Sequence, residues 1–252
     1  MKIVISPAKS LDFESPIPEL AATQPNFLKE SRIINAVLKQ KKPSDLMQLM
    51  SISEPLAALN WQRNKAWKTP FTSENARPAV FAFSGEVYIG LDVKTLPLEK
   101  LPELQERVRI LSGLYGILKP LDLMQPYRLE MGTSIAISDA KNLYDFWKAR
   151  LTNALNKELK KGELLVNLAS KEYFSAIDVK ALKANVITPE FKDYKDGNLK
   201  MIGFFAKKAR GLMVRYIIET NAQTAEDLQG FDYEGYRFDA NLSQGTKLVF
   251  TR

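Results

Sequence analysis

The residues able to do chemistry gather in a few short segments. The first is Ser6-Pro-Ala-Lys-Ser-Leu-Asp12, directly after the β-branched run Lys2–Ser6. In α/β sheets, ligands collect beyond the C-terminal ends of strands. Ser6, Lys9, Ser10 and Asp12 are therefore candidate site residues. A lysine there can bind phosphate or, once desolvated, act as a base or nucleophile. The plainer alternative is a polar loop that caps the strand. A second set lies in Asp122–Glu130 and Asn167–Tyr173. Arg128 and Glu130 alternate with Tyr127 and Leu129, so one face of that segment is charged. Such a face is either a buried ion pair or the floor of a cleft. Taken together, Ser6, Lys9, Asp12, Arg128, Glu130 and Asn167 would form the site of an enzyme acting on nucleic acid or a nucleotide.

Two further segments suit binding rather than catalysis. Arg107–Pro120 (RVRILSGLYGILKP) places Gly113 and Gly116 around Leu114 and Tyr115, with Arg109 and Lys119 nearby. This spacing resembles a helix-hairpin-helix, loosely. Glycines would let the backbone approach a phosphate, and the next helix's amides would face its oxygens. The competing reading is a helix end followed by a buried turn. Leu199–Thr220 reads as a strand followed by a helix. Its wheel sets Phe205, Ala209, Leu212, Met213 and Tyr216 on one side. Lys207, Lys208, Arg210 and Arg215 fall on the other, with Gly211 among them. No acidic residue lies between Phe204 and Ile218, whereas a solvated helix usually interleaves both signs. That run favours phosphate contact.

Composition narrows the chemistry. Of 252 residues, 36 are Lys or Arg and 29 are Asp or Glu, a formal charge of +7 that favours anionic partners. There is no cysteine and no histidine. Thiol nucleophiles, disulfides and imidazole bases are therefore absent, and a general base must be Asp, Glu, Lys or Tyr. A metal would have to sit among oxygens; none is expected, nor any cofactor. The opening apolar run is broken at Pro7, too short for a signal peptide. No stretch approaches a membrane span, so the expected location is the cytoplasm.

These segments need elements to hold them. Lys2–Ser6, Pro78–Phe83 and Glu163–Leu168 read as buried strands. Helical spacing runs over Asn26–Gln40, from Pro43, and over Glu54–Trp67, forming a helical insertion at about 25–70. Leu98–Ser112 and Leu143–Lys160 read as helices, the latter stopped before Gly162. Asp196-Gly197 marks a hairpin between Val186–Tyr194 and Leu199–Phe205. Tyr236–Asp239 and Lys247–Thr251 close the chain as strands. The expected fold is mixed α/β (α+β): one domain over 1–252 with a mixed sheet.

Four segments together resemble the bacterial YaaA peroxide-stress-resistance family: ISPAKSLDFESP at 5–16, LSGLYGILKPLDLMQPYRLEMG at 111–132, VNLASKEYF at 166–174 and FFAKKARGLMVRYIIE at 204–219. Their order and spacing also fit. The resemblance implies a mixed α/β fold with a helix-hairpin-helix and a positively charged cleft. It implies binding of double-stranded or distorted DNA, resistance to hydrogen peroxide and less iron-dependent damage, with no catalytic activity established. It makes Lys207, Lys208, Arg210 and Arg215 the cleft cations. Lys9, Arg109, Gly113, Tyr115, Gly116 and Lys119 would add contacts. With no histidine or cysteine to hold iron, the effect on iron toxicity would be indirect.

Overall fold

The chain opens on a strand that is buried along its whole length. The computed structural model describes residues 1–252, and in it Lys2–Ile5 (β1) is the strand from which the sheet extends to both sides. A short strand, Ser10–Leu11 (β2), follows, and then Leu28–Lys39 (α1), Pro43–Met50 (α2) and Glu54–Ala66 (α3). These helices occupy the expected insertion. Next come Arg77–Pro78 (β3), the single turn Ala79–Ala82 (α4), Phe83–Ser84 (β4), Glu86–Leu91 (α5) and Leu101–Arg107 (α6). Val108–Ser112 (β5), Gly116–Leu118 (β6), Leu123–Met124 (β7), Leu143–Glu158 (α7) and Leu164–Leu168 (β8) continue the chain. It ends with Lys171–Phe174 (α8), Asn185–Lys195 (β9), Asn198–Lys200 (β10), Gly203–Thr220 (α9), Ala225–Gln229 (α10), Arg237–Phe238 (β11) and Lys247–Thr251 (β12).

The eight-stranded sheet runs in the order β11-β12-β9-β8-β1-β5-β6, with β10 paired to β9. β1 is parallel to β5 through Ile3↔Val108 and to β8 through Ile3↔Val166. β9 continues the parallel run beyond β8, while β6, β10 and β11 pair antiparallel. The fold is thus mixed α/β, as expected. Buried apolar side chains from Ile3 to Phe250 form one continuous cluster. β1 has neighbours that come later in the chain on each side. This is a topological switch point, where parallel sheets open a crevice at their C-terminal ends.

Several expected elements form where periodicity put them. α7 buries Phe146, Trp147, Leu151 and Leu155, and Asn142 caps it by accepting from the Asp145 amide. Asp196 and Gly197, both at positive φ, turn β9 into β10. The second arm of that hairpin is shorter than expected, because the helix α9 already begins at Gly203.

Two expectations are corrected. Pro78–Phe83 is not one strand. It is interrupted by α4, whose first amides, Ala79 and Val80, donate to the Asp122 and Pro120 carbonyls. A short apolar run does not distinguish a buried strand from a buried helical turn. The helix expected over Leu98–Ser112 stops at Arg107, and Val108–Ser112 is a core strand. The helix-hairpin-helix is therefore a β-hairpin, β5–β6, with Ser112 opposite Gly116.

Glycines carry two close approaches in this fold. A Cβ on Gly90 would lie 2.1 Å from the Lys208 carbonyl oxygen, and one on Gly211 would lie 1.8 Å from that of Val87. The backbones of α5 and α9 thus cross almost in contact, so Gly211 serves packing rather than phosphate approach. Gly211→Ala should lower the unfolding free energy by about 3 kcal/mol or more through overpacking. Gly203→Ala, with open space around it, should not. Urea unfolding of both variants checks this; equal stabilities would refute the crossing.

Candidate functional site

A cleft of about 390 Å³ opens at the switch point. Its floor is the loop after β1 (Ser6–Ser10) and the turn after β8 (Ser170, Glu172, Tyr173). One wall is Ser84–Tyr88 at the start of α5, another is Glu130, and α9 supplies Lys207 and Arg210. Strands pair with β1 on both sides and bury Ile3, Val4 and Ile5, so on this side of the sheet the chain turns polar only past Ile5.

The floor is tied together by hydrogen bonds. The Ser170 amide donates to Ser6 Oγ at 2.8 Å, and the Tyr88 hydroxyl donates to the Ser6 carbonyl at 3.1 Å. Lys9 Nζ sits 2.8 Å from Glu130, whose other oxygen is 3.4 Å from Arg128. Glu130 is thus held by two cations, and the Lys9 side chain remains 62% exposed. Glu172 accepts from the Gly132 amide at 2.9 Å. Burial pushes the Tyr88 and Tyr173 phenols well above their ordinary range, so both stay neutral. Burial lowers the Arg210 guanidinium from its usual value, and Glu190 opposes the shift. The carboxylates do not converge into a metal cage.

The structure sorts the residues singled out from sequence. Ser6, Lys9 and Glu130 meet Lys207 and Arg210 in this one cleft, so half of the enzymatic candidates and half of the helix cations share a site. Arg128 stands behind Glu130. Asp12 faces a neighbouring crevice, beside Val93 and Lys94. There it accepts from the Ser15 amide at 2.9 Å and pairs with Lys94 at 3.2 Å. Hydrogen bonding from Ser15, against a small cost of burial, holds its carboxyl well below the usual range. Asn167 is buried in β8, donating to Thr188 and accepting from the Ala169 amide.

The hairpin residues are structural. Gly113 is buried, and a Cβ on it would lie 2.3 Å from the Leu129 carbonyl oxygen. Gly116 has φ +69° and lies against Trp147. Tyr115 is fully buried; its hydroxyl donates to the Gln125 carbonyl and accepts from Trp67 Nε1, each at 3.0 Å. Arg109, 1% exposed, gives its Nε to Glu158 at 2.7 Å. These four residues lie beneath the surface, so the expected phosphate contacts there are withdrawn. Lys119 is half-buried at the end of β6, its amide donating to Asp122 at 2.7 Å.

The cations of α9 divide into two kinds. Lys208 pairs with Glu234 at 2.5 Å. Arg215 bonds Glu219 at 2.8 Å, the Asp92 carbonyl at 2.9 Å and Thr95 Oγ1 at 2.8 Å. Both belong to the scaffold. Lys207 and Arg210 line the cleft without an ion pair. Phe205, expected on the apolar side, is 38% exposed, and the Arg252 guanidinium lies over its ring. Sequence reasoning missed Glu86 and Tyr88; they follow the expected strand Pro78–Phe83, and nothing local marked that segment as a wall.

Fold and cleft define the class first: a mixed α/β protein with a polar, charge-lined cavity at the switch point of its parallel strands. The chain belongs to the family described as Peroxide stress protein YaaA, which matches residues 1–242. A UPF0246 protein of Flavobacterium johnsoniae is 70% identical over 252 residues, covering 100% of both chains. One of Saccharophagus degradans is 52% identical over 254 positions, covering 100% of this chain and 99% of its own. One of Neisseria gonorrhoeae is 51% identical, covering 100% and 98%. The family resemblance carried by the four segments is thereby established, and with it a place among peroxide-stress proteins. No helix is long and apolar enough to cross a membrane.

The division of cations is testable. Arg215→Ala should cost about 2 kcal/mol of stability, because several bonds to a charged group are lost. Lys207→Ala should change it by less than about 0.5 kcal/mol, as for other surface positions. Urea titration measures both, and a larger loss at Lys207 would contradict the assignment.

Proposed function

We propose that the cleft is part of a DNA-binding surface used in the response to hydrogen peroxide, in the cytoplasm, on double-stranded or distorted DNA. The observation that carries this reading is the pair of unpartnered cations, Lys207 and Arg210, facing the exposed Lys9 across one cleft. Cations without internal partners are available to phosphate oxygens, and such contacts supply affinity independent of sequence. Membership of the peroxide-stress family supplies the context. The chain would limit iron-dependent damage by occupying DNA rather than by holding iron.

With one ion pair to phosphate from each of Lys207 and Arg210, log K against log salt should have a slope of about −1.8. Titration of a fluorescent duplex at several salt concentrations measures it. A slope near zero, or strong preference for one base sequence, would overturn the reading.

A second reading rests on a separate observation. Ser6, Lys9 and Glu130 converge beyond the ends of parallel strands, where enzymes of this architecture hold substrates. Lys9→Arg separates the two. Arginine keeps the charge and the pairing with Glu130 but cannot lose its proton. Cells carrying Lys9→Arg should survive peroxide as well as wild type. Lost survival with unchanged DNA affinity and folding would favour the enzyme.

A further inference from the structure

Most charged groups around the cleft satisfy one another. Lys9 and Arg128 hold Glu130, and Glu172 is bonded by a backbone amide. Three groups have no such partner: Lys207 and Arg210 on the α9 wall, and Glu86 on the α5 wall. Arg210 is also substantially desolvated, a cost that Glu190 partly offsets without forming an ion pair with it. A ligand that answers all three carries an anion at one end and N–H donors at the other. Phosphate meets the cations in the geometry guanidinium favours. The amino edge of a nucleobase meets a carboxylate, as cytosine N4 does with Glu or Asp.

Phe204 adds a stacking surface. It precedes Lys207 by three positions, so the two are neighbours on the surface of α9, and it stands beside the cleft rather than in its lining. Its side chain is 58% exposed, with only an edge-on contact to Phe205 among aromatic rings, at 5.7 Å. Exposed aromatic faces stack bases in proteins that bind unpaired strands. The cleft volume, about 390 Å³, suits a small molecule. A double helix cannot enter it, whereas one nucleotide can.

We infer that the cleft receives a single nucleotide displaced from a DNA duplex, with its phosphate on Lys207 and Arg210, its base against Phe204 and its amino edge toward Glu86. The inference rests on the DNA-binding reading and deepens it. Displacing a base costs least where the duplex is mismatched or bulged, so a preference for distorted DNA follows from the pocket itself.

The test uses the full chain and a duplex carrying 2-aminopurine at a mismatch, with binding followed by anisotropy and unstacking by 2-aminopurine emission. Saturation with wild-type protein should raise emission about threefold, as expected when a base leaves the stack. Phe204→Ala, next to Lys207 on α9, and Glu86→Gln, on the α5 wall, both checked for unchanged melting, should abolish the rise while weakening affinity by about threefold or less. Arg210→Gln should lose both the rise and most of the affinity for the mismatched duplex. Binding without an emission change in the wild type would overturn the inference and leave the DNA-binding reading standing. An equal rise in wild type, Phe204→Ala and Glu86→Gln would overturn the assignment of this cleft. Absence of binding to any DNA would overturn both readings. Binding of free 2-aminopurine nucleoside monophosphate without binding of duplex would overturn the displaced nucleotide as the source.

Discussion

The cleft depends on the near-contact of α5 and α9 at Gly90 and Gly211. One wall is the first turn of α5 and another is the face of α9 that bears Lys207 and Arg210. Because each helix presents a glycine at the crossing, the backbones meet with no side chain between them, and the separation of the walls is set by peptide groups. Small residues extend the fit. Ala206 and Ala209 are buried beneath the cations, which brings the helix close to the sheet while Lys207 and Arg210 project outward. Arg215 then ties the far part of α9 to the loop after α5, through the Leu91 and Asp92 carbonyls and Thr95. Packing and hydrogen bonding thus fix the same pair of helices at two places, and the charged groups between them cannot drift apart independently.

The formal charge of +7 overstates what a partner meets. Lys2, Arg77, Arg107 and Arg109 are all buried. Arg109 reaches Glu158 and two carbonyls, and Arg107 reaches Glu103 and the Ala222 carbonyl. These cations must be hydrogen-bonded because an isolated buried charge costs several kcal/mol. Once bonded, they have nothing left for an external anion. Attraction for a polyanion would therefore concentrate on the few cations that no carboxylate pairs directly, and the position of those cations matters more than the total.

Sequence disclosed the outer frame of this fold and part of its site. Amphipathic spacing revealed α7, a β-branched run revealed β1 and a short apolar run revealed β8, because each buries a pattern its own length can express. The segment Arg107–Pro120 misled for a physical reason. Arg107 and Arg109 look like surface residues of a helix, yet both are buried, Arg107 paired with Glu103 within α6 and Arg109 with Glu158 of α7. The glycines looked permissive for a ligand, yet their space is filled by Leu129 and Trp147. The same limit applied to α9. A helical wheel places its four cations on one side but cannot tell that Glu234, from outside the helix, claims Lys208, or that the loop after α5 claims Arg215. Site residues near strand ends were legible since topology alone selects those positions. Glu86 was not, because its role comes from a crossing of helices that local pattern does not encode.

The mixed sign of the cleft constrains what a nucleic acid could do there. Lys9, Lys207 and Arg210 face Glu86, Glu130 and Glu172, so the lining is not a uniform surface for a phosphate chain. A backbone laid across the α5 side would bring phosphates toward Glu86, and like charges at short range repel. Favourable contact is confined to the α9 side, where the free cations and the exposed Phe204 follow one another along the helix. Toward such a ligand the carboxylates would act as a filter, favouring a group with N–H donors and disfavouring a phosphate on the α5 side. The chain also lacks cysteine, so it cannot enter the thiol oxidation ladder by which many peroxide-responsive proteins act. Its link to peroxide must therefore run through something other than its own thiols.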